Sequence, residues 1–326
     1  MQAFRIIVHM KDKTSVRTLG LIWRGMAMGI AEVVPGVSGG TIAFITGVYE
    51  QLILSIKSFD AQLFQYLHKR QWQAAWQHIN GPFLLYLLLG MAAGMTIGVF
   101  GVTHVLERYP LLLWAFFFGL ILASVRPVAR YVSRWTIAQF VGLGFGAAVS
   151  FYITIATPAQ GIASEGFIFL CGAIAISALM LPGISGSFML LLLGMYTTII
   201  PAVKQALSAF DPESLRILSF FAAGALVGLF SFSRVLTWLF RHYHDTTMAV
   251  LTGFMLGSLN KLWPWKEVLS WHVNSKGERV PLLERSIWPT HYEGDPQLWG
   301  VLVCMALGFA LVWLFERWSA QPKTSP

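Results

Sequence analysis

A six-residue phrase occurs twice in this chain. Pro35-Gly36-Val37-Ser38-Gly39-Gly40 is followed by Gly47 and Tyr49, and Pro182-Gly183-Ile184-Ser185-Gly186-Ser187 by Gly194 and Tyr196. Equivalent positions lie 147 apart (182 − 35). Both copies interrupt long apolar stretches. A polar, helix-breaking loop there leaves backbone N–H and C=O groups that hydrocarbon cannot satisfy, so it must face protein or a wet cavity. Two such loops in matching halves point to a transporter's binding site.

Of the 326 residues, 56% are hydrophobic and 12% charged. An ordinary soluble domain carries about twice that charge, and apolar runs of spanning length recur throughout. The net charge of +8 calls for no nucleic acid, because basic residues on cytoplasmic loops account for it. Cys171 and Cys304 lie in apolar segments and read as packed free thiols, with no metal site and no cofactor expected. The first twenty residues carry Arg5, Lys11, Lys13 and Arg17 but no long apolar core, so no cleavable signal peptide is expected.

The duplication continues beyond the motif. Gly90 and Gly94 match Gly224 and Gly228, and Gly119 matches Gly253, at an offset of 134 (224 − 90). The thirteen extra residues of the first half (147 − 134) fall in the polar stretch 57–80. The expected fold is an all-α polytopic membrane protein forming one domain over 1–326. It has two inverted-topology repeats, about 17–157 and 167–318. Each is a re-entrant broken helical hairpin followed by three transmembrane helices. The hairpins cover about 19–56 and 167–203. The spans cover about 83–103, 111–125, 136–157, 217–240, 247–263 and 298–315. Each hairpin arm is shorter than the ~20 residues a crossing needs, which favours re-entry over spanning. Three crossings after a returning hairpin invert the second half.

Charge orients the chain. With both termini in the cytoplasm, Lys57, Lys69, Arg70, Arg126, Arg130, Arg134 and Arg241 fall inside, and the connection 158–166, which carries no Lys or Arg, falls outside. The long loop 261–297 also lies outside. Phe59, Leu63, Phe64 and Leu67 read as one face of an in-plane amphipathic helix. Trp263, Trp265, Trp271, Trp288 and Trp299 read as an aromatic belt.

The loop chemistry is that of an anion cradle. Pro35 and Pro182 end their half-helices. Gly36, Gly39, Gly40, Gly183 and Gly186 let a ligand approach the backbone. The following half-helices start near Thr41 and Ser187 with free N–H groups, and Ser38, Thr41, Ser185 and Ser187 add hydroxyls. The ligand expected is an anion, most simply a phosphate. The competing reading, a Gly-rich packing kink, would stand for one copy, but duplication in register favours a site. Glu32, an acid in an apolar arm, reads as a proton-coupling group or as half of a structural ion pair. Arg24 is that pair's other half or a phosphate ligand, and Arg126 reaches the phosphate or anchors its span. Arg234 reads as snorkelling. His104 reads as an interfacial histidine ahead of a proton shuttle, and His242 and His244 resemble a metal pair only superficially, with no acid or Cys cluster beside them. The glycine runs at 90–98, 224–228 and 253–257 read as helix-packing faces.

The string from Arg24 through Glu32 to Thr41, with Leu181–Ser187, Gly194 and Tyr196, resembles the PopT-type polyprenyl-phosphate translocase family, formerly a domain of unknown function. The resemblance spans about 17–318. It implies a multi-pass protein of the bacterial inner membrane that returns undecaprenyl phosphate from the outer to the cytoplasmic leaflet. Its partners would then be that lipid and the surrounding bilayer. Membrane undecaprenyl-diphosphate phosphatases share the Pro/Ser loops, but they carry an Arg where this chain has Gly186, and paired acids where it has Glu32 alone. A phosphatase needs more acid–base machinery. A third reading is a symporter of a small soluble anion.

Overall fold

The computed structural model describes residues 18–34, 36–159, 161, 164–273 and 279–320. Pro35, the basic residues before 18, and Lys323 lie outside the described residues, as does the start of the first repeat at 17. The first half runs α1 (Thr18–Val33), α2 (Gly39–Ile45), α3 (Tyr49–Lys57), α4 (Ala61–His68), α5 (Trp72–His78) and α6 (Gly81–Ile97). A π-helical turn (Gly98–Val102) carries α6 into α7 (Thr103–Arg108), followed by α8 (Pro110–Ala129) and α9 (Ile137–Ile155). The second half runs α10 (Glu165–Leu179), α11 (Gly186–Leu192), α12 (Tyr196–Ala209), α13 (Pro212–His242), α14 (His244–Leu262) and α15 (Leu298–Ala320).

Four segments are long and apolar enough to cross a membrane unaided: Gly81–Leu106, Pro110–Ala129, Ile137–Ile155 and Pro212–His242. The α2–α3 pair would count as a fifth but bends by 116° at its break, the geometry of a broken or re-entrant segment. The chain is therefore a mostly helical, polytopic membrane protein. The stretch expected as a span over 247–263 falls outside this set, and its surroundings explain why. Thr247, Thr252 and Ser258 of α14 are buried along with Met248, Leu251 and Met255. A helix walled in by protein can carry hydroxyls that lipid would penalise, because each bonds back within its own helix, as Thr252 does to the Met248 carbonyl at 2.7 Å.

Helix packing repeats itself between the halves. α1 lies along α6 as α10 lies along α13, α8 packs on α15 as α14 packs on α9, and α8 meets α14 between them. The contacts agree residue by residue. A β-carbon at Gly90 would strike the Ile22 carbonyl, and one at Gly224 the Phe169 carbonyl. Gly94 meets Met26 as Gly228 meets Ala173, and Gly25 meets Leu87 as Gly172 meets Phe221. Each match obeys the offsets of 147 and 134 (169 − 22, 221 − 87). Close backbone approach of this kind is how membrane helices gain dispersion contact without a hydrophobic drive. The thirteen extra residues form the short helices α4 and α5, where the second half has only the turn at Phe210–Asp211.

Three expectations need correction. The long loop, read as irregular within the all-α fold, holds an antiparallel hairpin of β1 (Lys266–Val273) and β2 (Arg279–Ser286), pairing Lys266 with Ser286 and Glu267 with Arg285. The tryptophans of that loop do not form one belt. Trp263 and Trp265 pack ring to ring at 5.4 Å and donate to the Ile287 and Pro296 carbonyls, whereas Trp271, Trp288 and Trp299 are exposed. The expected in-plane face is also divided: Phe59 stacks on Phe230 and Leu63 is buried, leaving Phe64 outward.

Candidate functional site

The two motif loops share one backbone path. Gly36 and Gly183 have φ of +82° and +84°, a region closed to most side chains, and Gly47 and Gly194 follow at +72° and +68°. Val37 N donates to the Val34 carbonyl at 3.1 Å, as Ile184 N does to that of Leu181 at 3.3 Å. Each loop then starts a seven-residue helix, α2 or α11.

The loops meet in the interior. Gly183 N donates to Thr41 Oγ1 at 2.8 Å. Ser38 Oγ faces the Leu179 and Leu181 carbonyls at 3.4 and 3.5 Å, and Tyr49 OH donates to the Met180 carbonyl at 2.6 Å. Gly40, whose β-carbon would lie 2.9 Å from the Leu179 carbonyl, allows this approach.

The first tip is already occupied by a carboxyl of its own chain. Gly39 N donates to Glu32 Oε1 at 2.6 Å, and Gly40 N donates to Ser38 Oγ at 3.1 Å. The residues from Gly36 to Gly39 are buried, as is Thr41. The second tip has Leu179 where the first has Glu32. Its Ser185 makes no cap bond and instead lies 2.9 Å from Ser187 Oγ. Pro182, Ser185 and Gly186 are buried and Gly183 half-buried, but Ser187 is exposed. The structure thus brings Glu32, Gly36, Ser38, Gly39, Gly40 and Thr41 together with Pro182, Gly183, Ser185, Gly186 and Ser187.

Arg24 and Arg126 stand apart. Arg24 precedes Glu32 by eight residues on one straight helix, a rise of about 12 Å, and among the described residues no ion pair links them. Arg126 is exposed in the last turn of α8. Arg234 reaches the Phe59 carbonyl at 3.1 Å, and His244 approaches Glu50 at 3.8 Å. Among the described residues no group of three or more His, Cys, Asp and Glu side chains could hold a metal ion.

Sequence reasoning missed the cation beside the loops. Lys261, assigned to a solvent loop, belongs to α14, and a β-carbon at Gly36 would lie 2.8 Å from its Cγ. Its Nζ sits 4.8 Å from the centroid of the Phe188 ring, which follows the second tip. The same ammonium pairs with Glu284 Oε2 at 3.0 Å, and Lys266 Nζ lies 3.7 Å from that oxygen. Burial pushes Lys266 from its ordinary 10.5 down to about 7, against the pull of Glu284. Burial alone would raise the Glu284 carboxyl, but the two ammonium groups override it and hold it low. The signal was helical spacing: a β-carbon at Gly183 would meet the Phe254 carbonyl and Ser258 Oγ, and Phe254, Ser258 and Lys261 occupy i, i+4 and i+7 of one face.

An apolar cavity of about 420 Å³ adjoins the second loop. Leu181, Ile184 and Met189 form its loop side, and Val149 of α9 and Phe232 of α13 face them.

Two broken hairpins meeting tip to tip within a polytopic helical membrane protein define the class of membrane transporters built on interrupted helices. The family model described as VCA0040-like, undecaprenyl phosphate translocase-like, matches residues 28–280, and the chain belongs to that family. It is 43% identical over 300 residues to a polyprenyl-phosphate transporter of Vibrio cholerae serotype O1, covering 91% of this chain and 95% of that protein. It is 31% identical over 269 residues to a polyprenyl-phosphate transporter of Staphylococcus aureus, covering 78% and 89%. These relatives are transporters, and the chain is a transporter rather than an enzyme. No solved structure matches the chain.

Proposed function

We propose that this protein moves undecaprenyl phosphate from the outer to the cytoplasmic leaflet of the bacterial inner membrane, holding the phosphate where the two loops meet. The observation that carries the reading is the junction itself. Thr41 of one half accepts from Gly183 of the other at 2.8 Å, with Ser38, Ser185 and Ser187 beside it. The relatives' printed activity supports the choice of a polyprenyl phosphate. Unaided, the charged headgroup would face a prohibitive desolvation cost in hydrocarbon, whereas hydroxyls and backbone amides can replace its water. The apolar cavity at Leu181, Ile184 and Met189 gives the first isoprene units a place beside the loop while the rest of the tail stays in lipid. The duplicated packing supports two repeats of inverted topology, whose rocking would open the junction to each leaflet in turn.

Glu32 gives this cycle its proton. The carboxylate occupies the Gly39 amide, a position an arriving phosphate would compete for. Release of Glu32 into an apolar setting favours its protonated form, so headgroup capture and proton uptake are linked.

The test is leaflet exchange in proteoliposomes given undecaprenyl phosphate or its diphosphate. Exchange of the monophosphate without phosphate release is expected. Phosphate release from the diphosphate would replace the reading with an enzyme. Uptake of a water-soluble anion with no lipid exchange would replace it with a symporter.

A further inference from the structure

We infer that Lys261 and Lys266, beneath the β-hairpin, form a second phosphate-binding station, at which the headgroup docks before it reaches the loops. This rests on the polyprenyl-phosphate reading above and adds a site to it.

The cluster is built and buried. The side chains of Lys266, Lys261 and Glu284 are 7%, 14% and 19% exposed. Both ammonium groups address the same oxygen, Glu284 Oε2, at 3.0 Å from Lys261 and 3.7 Å from Lys266. Among the described residues, Lys266 Nζ has no hydrogen-bond partner, and it is held 3.5 Å from the centroid of the Trp114 ring. With Lys266 protonated, two cations share one carboxylate, leaving a positive excess in a dry setting and N–H donors without acceptors among the described residues.

A buried cation lacking a full complement of acceptors is expensive, and a core built for stability alone would place an apolar side chain there. A phosphomonoester supplies what is missing: up to two negative charges and three acceptor oxygens that can span both ammonium groups. Glu284 then acts as a stand-in anion from a strand of the cap. The residual exposure of the Glu284 carboxylate leaves a route from the hairpin side.

The station also adjoins the loops. The Lys261 stem lies on Gly36 of the first loop, and its head reaches Phe188 of the second. A headgroup leaving Lys266 for Lys261 would already touch both tips. Among the described residues, the charged groups facing the cluster are these two lysines and Glu284. Glu267 and Arg285 pair with each other on the hairpin at 2.6 Å.

The full-length protein in nanodiscs is titrated with undecaprenyl phosphate, with undecaprenol and with inorganic phosphate, and the same variants are assayed for leaflet exchange. Lys266→Met should fold with unchanged or higher thermal stability, yet lose roughly tenfold or more in affinity for the phospholipid, the scale of a close charge pair. Lys266→Arg should retain most of it. Glu284→Gln, which removes the stand-in, should bind the lipid more tightly. Undecaprenol should be indifferent to all three. If Lys266→Met binds undecaprenyl phosphate as wild type does, or if Glu284→Gln weakens binding as much as Lys266→Met, the inference is overturned. If inorganic phosphate alone responds to the variants, the lipid source is overturned. A wild type that exchanges no polyprenyl phosphate overturns the functional reading and this inference with it. A wild type and Lys266→Met that exchange it equally overturn this inference alone.

Discussion

The two motif loops follow the same path and live in different surroundings. Their first glycines differ by two degrees in φ, but Val34, Val37, Ile42 and Phe44 of the first loop belong to the main core, which extends to Met248 and Met255 of α14. The second loop joins that core through its buried Met180 and Ile184, beside Ala178, and the rest of its hairpin packs in a smaller separate cluster around Cys171, Ala175, Leu190 and Met195. Tyr49 is buried and bonded to the Met180 carbonyl, whereas its counterpart Tyr196 is half-buried. Identical backbone geometry therefore reflects the Pro-Gly-x-Ser-Gly sequence, while burial reflects what each half packs against. Under the proposed function the first loop would be the fixed wall of the site, and the second, with Ser187 exposed, the wall more open to an arriving ligand.

Glu32 should give the largest difference. Glu32→Gln loses the charged acceptor at Gly39, and hydrogen bonds to charged groups contribute about 1.5–3 kcal/mol. Leaflet exchange should fall roughly tenfold or more and lose its dependence on proton gradient, whereas Leu179→Gln at the equivalent position should change neither. Equal effects at the two positions would erase the asymmetry.

The next contrast is one of pH. Lys266 is depressed to about 7 on folding, so between about 7 and 10.5 the unfolded chain holds the extra proton and stability rises with pH across that window. Thermal melts across this window should show that slope in wild type and lack it in Lys266→Met. A slope unchanged by the substitution would remove Lys266 as its source.

Hydroxyl deletions sharpen the comparison further. Thr41→Val strands the half-buried Gly183 N–H and should cost about 1–3 kcal/mol of stability. Ser187→Ala, at an exposed position, should stay within about 0.5 kcal/mol while slowing exchange severalfold. Smallest is the cap contrast. Ser38→Ala removes a hydroxyl that accepts from Gly40 N and should cost about 1 kcal/mol, but Ser185→Ala removes no cap bond and should be close to neutral. Denaturation of the purified variants in one detergent reads both pairs.

The loops, the duplicated glycine contacts and the thirteen-residue excess were legible because Pro and Gly constrain backbone geometry wherever they fall. That Glu32 caps Gly39 was not, because a side chain bonding to a backbone amide leaves no mark in residue spacing. Arg24 suggested itself as a partner for Glu32 by charge, yet eight residues on a straight helix hold the two apart. The β-hairpin was hidden because its strands interleave Lys266, Glu267 and Ser270 with Val268 and Leu269, obeying no clean alternation, and bulge between Val268 and Trp271. Lys261 was hidden by its neighbours: the run Lys261–Lys266 carries three aromatic or proline residues and looks like an interfacial loop, though its first two residues complete α14.

The central claim is that one phosphate touches both loops. An undecaprenyl phosphate analogue carrying a photoreactive group beside the phosphate tests it directly, with the labelled peptides mapped by mass spectrometry. Labels on both 36–41 and 183–187, displaced by undecaprenyl phosphate but not by undecaprenol, are the predicted result. Labelling that leaves either stretch untouched would contradict the account.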